Sequence, residues 1–351
     1  MKFKTVIIIL AFSSMPVFAQ LQSAAKEANS GVASETAIKE VITPPKSDAE
    51  TATTANPVKK IPTALQWMQR LSNSLRNLNF DTSFVVVRNN RAEPYRWVHG
   101  VENKKELELL TLLNGPRKET IRVDNTVSYF DSATLPYTVN ANVITGPIPI
   151  AFSGNIEKLQ QSYDFVGVGK SRILGRPAQL VRLESKDKQR FGYWLWLDIQ
   201  SGLLLKAALI SRDGELLEQI QFTHLSITEH PSELLKQLLN TKLPSPMSND
   251  LSLINLPWSV SWLPQGFELV KSNRHTLNSI GEEVESLIYN DGLVDVSVYV
   301  SKTTAQNRAA SVNQTGATVL LSQLRDGYEI NVVGQIPAKT ALAIAESVSF
   351  Q

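Results

Sequence analysis

The chain has no cysteine among its 351 residues. That excludes a disulfide framework, a thiolate metal site and a cysteine nucleophile, and with them a lipid-modified cysteine at the start of a mature chain. Histidine is scarce too. His99, His224, His230 and His275 are the four present, and no two stand three or four apart, so no helix face offers a histidine pair to a metal. The Gly-x-Ser-x-Gly turn of a nucleophile elbow does not occur. No run reaches the ~18 apolar residues that span a bilayer. Nor is one sign of charge in excess: without Lys2 and Lys4, basic and acidic residues are equal at 33 each. Nothing global therefore points to nucleic acid or an anionic surface. The sequence carries no catalytic set, metal site or cofactor motif.

What is present divides the chain. Lys2 and Lys4, the run Val6 to Phe12, and Val17-Phe18-Ala19 have the charged, apolar and small-residue order of a secretory signal over residues 1–19. A mature protein in the periplasm is the expectation. Residues 20–60 are rich in Ala, Thr, Ser, Glu and Lys with no aromatic residue. Such a composition buries too little surface to offset ordering entropy and reads as a disordered tether. A first domain is expected over 61–230, a linker over 231–256 with a hinge at Thr241 to Asn255, and a second domain over 257–351.

The first domain opens on a helix. Thr63 and Gln66 fit a capping box, and Leu65, Met68, Leu71, Leu75 and Leu78 form one apolar stripe. Eight to ten short strands follow, with turns at Asn89-Asn90, Asn114-Gly115-Pro116 and Asp124-Asn125. The stretch from Asp131 to Phe152 is irregular, and its prolines block a long helix. Meandering strands with one or two helices predict an α+β domain: a strongly curved antiparallel sheet with a helix on its concave side. The second domain reads as a small α+β module. It has five strands, a tight-hairpin signal at Asn290-Asp291-Gly292 and a closing helix opened by Pro337.

The most informative stretch is Arg190 to Asp198 with its return limb Gly202 to Lys206. At period 2, Phe191, Tyr193, Leu195 and Leu197 share one face, and Trp194, Trp196 and Asp198 the other. Both faces are largely apolar, so a helix, another layer or a ligand must cover the second. Immediately upstream, Phe165 to Arg190 holds seven basic and two acidic residues. A solvated face is the default reading, and a patch for lipid phosphates or an acidic peptide the sharper one. Trp194, Trp196 and Leu205 are the candidate lipid-cavity residues, and Arg172, Arg176, Arg182 and Arg190 the candidate basic lip. Gly167-Val168-Gly169 lacks a third glycine and reads as a strand bend rather than a phosphate loop. Glu106 and Glu108 share a strand face and read as a solvated edge.

Several motifs in order carry a resemblance. Asn114-Gly115-Pro116-Arg117-Lys118-Glu119, Gly175-Arg176-Pro177-Ala178, and Gly192-Tyr193 through Asp198 with Gly202 to Lys206 resemble the MucB/RseB family of periplasmic regulators. So do Trp262 to Phe267, Tyr289-x-Asp291-Gly292-Leu293 and Val332-Val333-Gly334-x-Ile336-Pro337. The likeness runs from about Pro62 to Val348. It implies an unclosed antiparallel β-barrel with a helical plug, similar to periplasmic lipoprotein carriers, followed by a small α+β C-terminal domain. It also implies binding to the periplasmic domain of a membrane-spanning anti-sigma factor and shielding of that factor from the initiating protease. Release would follow binding of lipopolysaccharide or another acyl lipid. Self-association into a homo-oligomer stays open. A lipid or lipoprotein carrier without a regulatory partner is the alternative, and a hydrolase the least supported reading.

Overall fold

The computed structural model describes residues 62–247, 253–277 and 282–351. The expected signal (1–19), the tether (20–60) and part of the linker lie outside the described residues. Helix α1, Ala64–Asn77, starts where Thr63 Oγ1 accepts from the Gln66 amide at 3.2 Å and Gln66 Oε1 accepts from the Thr63 amide at 2.9 Å. Both members of the capping box are thus formed. The helix buries Trp67, Met68, Leu71 and Leu75.

Eleven strands make the first sheet: β1 (Asn79–Arg88), β2 (Arg91–Glu102), β3 (Lys105–Leu112), β4 (Lys118–Val123), β5 (Thr126–Asp131), β6 (Tyr137–Asn140), β7 (Tyr163–Ile173), β8 (Arg176–Ser185), β9 (Gly192–Asp198), β10 (Leu204–Ile210) and β11 (Leu216–Thr228). Their order is β6-β5-β4-β3-β2-β1-β11-β10-β9-β8-β7, antiparallel throughout. β6 and β7 are the two end strands and do not pair with each other, so the sheet is unclosed; beyond β6 an isolated bridge, Thr138 to Pro246, continues it. Asn89 and Asn90 both take positive φ, the geometry a two-residue hairpin between β1 and β2 requires. Alternate residues of β1, β9 and β10 (Phe80, Phe84, Val86; Tyr193, Leu195, Leu197; Leu204, Ala207, Leu209) pack with the apolar stripe of α1 in one core. Between the two edge strands the chain runs through a 3₁₀ turn at Ile150–Ser153 and the short helix α2, Ile156–Leu159. Helix α3, Glu233–Leu238, buries Leu235 and Leu238 on Val98, Leu107 and Ile121, a separate small cluster.

The second sheet has the order β13-β14-β15-β18-β17-β16. Its strands are β13 (Glu268–Leu277), β14 (Glu282–Asn290), β15 (Asp295–Lys302), β16 (Arg308–Thr315), β17 (Thr318–Arg325) and β18 (Tyr328–Gly334). Helix α4, Ala338–Glu346, lays Ala341, Ile344 and Ala345 on Val296, Val298, Val319 and Val332. A two-stranded ribbon, β12 (Trp258–Val260) with β19 (Val348–Phe350), completes the module. The sequence reading misses β6, β12, β16 and β19. Three are four residues or fewer, and β16 is polar along most of its length. Gly167-Val168-Gly169, read as a strand bend, is a bulge between Gly167 and Gly169 within the continuous strand β7. Instead of a two-residue hairpin, Asp291 to Val294 form a loop in which Asp291 Oδ1 accepts from the amides of Leu293 (2.9 Å) and Val294 (2.8 Å).

Candidate functional site

The two faces of β9 fall as period 2 requires. Phe191, Tyr193, Leu195 and Leu197 are buried in the core with α1. Trp194 and Trp196 are half-buried on the opposite face, where cations cover them. The Arg182 guanidinium lies 5.8 Å from the Trp194 ring centre, and the Lys206 ammonium 4.9 Å from that of Trp196. These are the cross-strand neighbours, Arg182 opposite Trp194 and Lys206 opposite Trp196. The cover of the second face is therefore a layer of long cationic stems, and the burial of Lys206 there lowers its pKa. Leu205 is the extra residue of a bulge between Leu204 and Lys206 and is fully buried.

The cavity lies elsewhere, on the α1 side. Leu75, Phe84, Trp97, Leu110, Ile144 and Ile148 are among its walls, and its free volume is about 40 Å³. That admits a few waters and falls far short of the ~300–1,000 Å³ of a typical ligand site. The irregular segment 143–150, with Val143, Ile144, Ile148 and Ile150, forms one side as an apolar strap. Trp194, Trp196 and Leu205 are not among its lining residues.

A charged ladder floors this cavity. The reading of Glu106 and Glu108 as a solvated edge is corrected here: Glu108 is buried, and both bond the buried Arg122. Glu108 and Arg122 are direct cross-strand partners on β3 and β4. Arg122 Nη1 lies 2.7 Å from Glu108 Oε1, and its Nη2 bonds Glu106 Oε2. Trp97 Nε1 donates to Glu108 Oε2 at 2.9 Å, and Arg76 Nη1 to Glu106 Oε1 at 3.2 Å. Burial pushes the Glu106 carboxyl up. His99 Nε2, 3.9 Å away, and the guanidiniums of Arg122 and Arg76 outweigh that and bring it down to about 2. His99, Glu106 and Glu108 have the mutual spacing of a three-ligand metal site. The Arg122 guanidinium already sits between the two carboxylates, so the positive charge they call for is supplied, and the set does not fit a cation.

The four arginines of the expected basic lip do not come together. Arg172 is exposed on edge strand β7. Arg176 holds Asp198 Oδ2 at 2.9 Å, and Arg182 pairs with Glu184 at 3.0 Å while covering Trp194. Arg190 is buried, which takes it off any surface lip. It joins the two sheets: its Nε donates to Asp291 Oδ2 at 2.5 Å, its Nη1 to Asp187 Oδ2 at 2.6 Å, and its Nη2 to the Gln265 carbonyl. The Phe267 ring centre is 4.9 Å from the guanidinium. Around this centre Ser162 Oγ donates to Gln265 O at 3.2 Å, Thr340 Oγ1 to Gln189 O at 3.0 Å, and Lys158 pairs with Glu268 at 2.7 Å. Gly266, at φ +90°, is needed there because a Cβ would stand 2.4 Å from Ser162 Oγ. Sequence reasoning could not find this junction, since Asp291 lies 101 positions from Arg190.

An open antiparallel sheet with an enclosed apolar face is joined through a buried ion pair to a smaller sheet-and-helix module, which defines a two-module, carrier-like architecture. The chain belongs to the MucB/RseB family: residues 63–247 match the MucB/RseB N-terminal domain and residues 254–349 the MucB/RseB C-terminal domain. It is 33% identical over 288 residues to the sigma-E factor regulatory protein RseB of Salmonella typhimurium, covering 81% of this chain and 90% of that one. To the sigma factor AlgU regulatory protein MucB of Pseudomonas aeruginosa it is 31% identical over 300 residues, covering 84% and 93%. Among solved structures, it is similar to the Pseudomonas aeruginosa MucA/MucB complex, with a TM-score of 0.67, 30% identity, and coverage of 82% of this chain and 99% of that one. A structure of MucB with MucA(peri) aligns with a TM-score of 0.65 at the same identity and coverage. No helix among the described residues is long and apolar enough to cross a membrane.

Proposed function

We propose that this protein is a non-enzymatic regulator of envelope stress that binds the periplasmic domain of a membrane-spanning anti-sigma factor. The observation that carries the reading is that both modules match the family, and that a relative sharing both was solved with MucA(peri). In this proposal the two domains, 61–230 and 257–351, present the binding surface together, the mature chain works in the periplasm, and the bound factor is shielded from the protease that makes the first cut. Lipopolysaccharide or another acyl lipid releases it. Such release requires the lipid to prefer a state that binds the factor less well. The cavity under the 143–150 strap is our candidate for the acyl chain, in place of the Trp194/Trp196 face. At about 40 Å³ it is too small as it stands, so strap displacement would be the differential event. The regulatory reading is tested by pull-down of the purified protein with the periplasmic domain of the cognate anti-sigma factor, with and without lipopolysaccharide. Capture in the absence of lipid and loss of capture in its presence are expected; no capture without lipid sinks it.

A carrier working without a partner uses the same cavity but has no use for a second module joined through the buried Arg190 and Asp291 pair. Acylated proteins copurifying with the chain, identified by mass spectrometry, would favour it.

A further inference from the structure

A second, larger opening lies on a different face of α1. It is a groove of about 500 Å³ between the C-terminal half of that helix and the β9–β10 turn, lined by Arg70, Asn73, Ser74 and Leu78 on one side and by Arg176, Gln200, Ser201 and Ile227 on the other. The groove is shallow and open to solvent over much of its extent. The wall is amphiphilic: two guanidiniums, two carboxamides and two serine hydroxyls, together with Leu78 and the exposed Ile227.

The two arginines come from opposite walls and are held there. Arg70 donates to the Gln200 carbonyl and lies 5.2 Å from the Trp67 ring centre. Arg176 is fixed by Asp198 Oδ2 at 2.9 Å and by Gln200 Oε1 at 3.3 Å. Ser74 Oγ donates to Ser201 O at 2.6 Å, tying the helix to the turn. Gly202, at φ +82°, makes this approach feasible, since a Cβ there would stand 2.7 Å from Arg70 Cγ and 2.9 Å from Ser74 Oγ. Two guanidiniums against the one carboxylate of Asp198 leave the site with a single positive charge. Arg176 Nε and Asp198 Oδ1, both buried, have no hydrogen-bond partner in the protein. Of these two atoms, the Arg176 donor suits an anion, whereas the Asp198 acceptor calls for water.

We propose that this groove binds a phosphoryl group. A carboxylate has two oxygens in one plane and satisfies one guanidinium fork, whereas the tetrahedral oxygens of a phosphoryl group can bridge two forks set on opposing walls. Leu78 and Ile227 beside them suit the apolar part of a phosphorylated amphiphile. A lipid headgroup and free phosphate share this chemistry. The site adds a polar contact to the lipid arm of the proposed function. It is read without the anti-sigma partner, so failure of either proposal leaves the other standing.

The test is isothermal titration calorimetry of the purified protein with inorganic phosphate, dihexanoylphosphatidic acid and dihexanoylphosphatidylcholine. Phosphatidic acid should bind about tenfold tighter than either of the others, because only it offers both a dianionic phosphoryl group and an apolar tail. Asn73→Asp adds a negative charge at the exposed rim without removing an arginine, and should weaken phosphatidic acid binding severalfold with unchanged thermal melting. Arg70→Gln should weaken it by about tenfold. Equal binding of phosphate and phosphatidic acid, both sensitive to Arg70→Gln, keeps the site and assigns it to free phosphate. No binding of any phosphoryl probe overturns the proposal. So does unchanged affinity in both variants, or phosphatidylcholine binding as tightly as phosphatidic acid.

Discussion

Arg190 Nε donates to Asp291 Oδ2 at 2.5 Å with both side chains fully enclosed, and this pair forms the centre of the junction between the two sheets. A buried charge whose partner is removed costs far more than a surface pair gains. Arg190→Ala and Asp291→Ala are each expected to lower stability by about 3–5 kcal/mol in urea unfolding. Arg190→Lys should recover little, because one ammonium cannot reach Asp187, Asp291 and the Gln265 carbonyl from the positions of a guanidinium fork. A loss below about 1 kcal/mol in Asp291→Ala, the scale of a surface pair, would mean the pair is peripheral to the junction.

Neighbouring residues on β9 should separate sharply by face. Leu195→Ala and Leu197→Ala remove fully buried side chains from the core with α1 and should cost about 3–4 kcal/mol each. Trp194→Ala and Trp196→Ala strip a half-buried outer face and should cost about 1–2 kcal/mol each. A double-mutant cycle between Trp196 and Lys206 should return a coupling of about 0.5–1 kcal/mol. Tryptophan variants as costly as the leucine ones would place those rings in the core.

Acid should be felt at Glu106. Its carboxyl is held at about 2 in the folded protein against an ordinary 4.5, so between these values the unfolded chain binds more protons than the folded one. The stabilisation is complete above about pH 4.5 and disappears as pH falls toward 2, amounting to about 2 kcal/mol once partial exposure is allowed for. Chemical denaturation across that window should show the slope in the parent and a shallower one in Glu106→Gln. Equal slopes would remove Glu106 as its source.

The cap of α1 offers a smaller, cleaner effect. Thr63→Ala deletes the acceptor of the Gln66 amide and should cost about 1 kcal/mol by thermal melting. Thr63→Ser should restore most of it.

Local chemistry was legible in the sequence and distant pairing was not. Thr63 with Gln66, the stripe from Met68 to Leu75 and the two faces of β9 are short-range patterns, and each matches the structure. Arg190 looked like the last member of a surface basic run because its partners, Asp291 and the Gln265 carbonyl, belong to the other module. Glu106 and Glu108 were misread for a subtler reason. Arg122 opposite Glu108 follows from the β3–β4 hairpin register, so a signal existed, but period alone does not say that the shared face is covered. Strand β16 shows no alternation to read, being mostly exposed.

Arg172 and Lys170 look different once β7 is seen as the last strand of an open sheet. One side of that strand has no neighbour in the sheet, and such a row of backbone groups invites a second chain to add on. The bulge at Gly167 and Gly169 breaks its regular repeat, and the exposed Lys170 and Arg172 bring like charges together when two copies approach. The basic residues that suggested a ligand surface thus have a second physical effect: their like charges oppose edge-to-edge pairing of two copies.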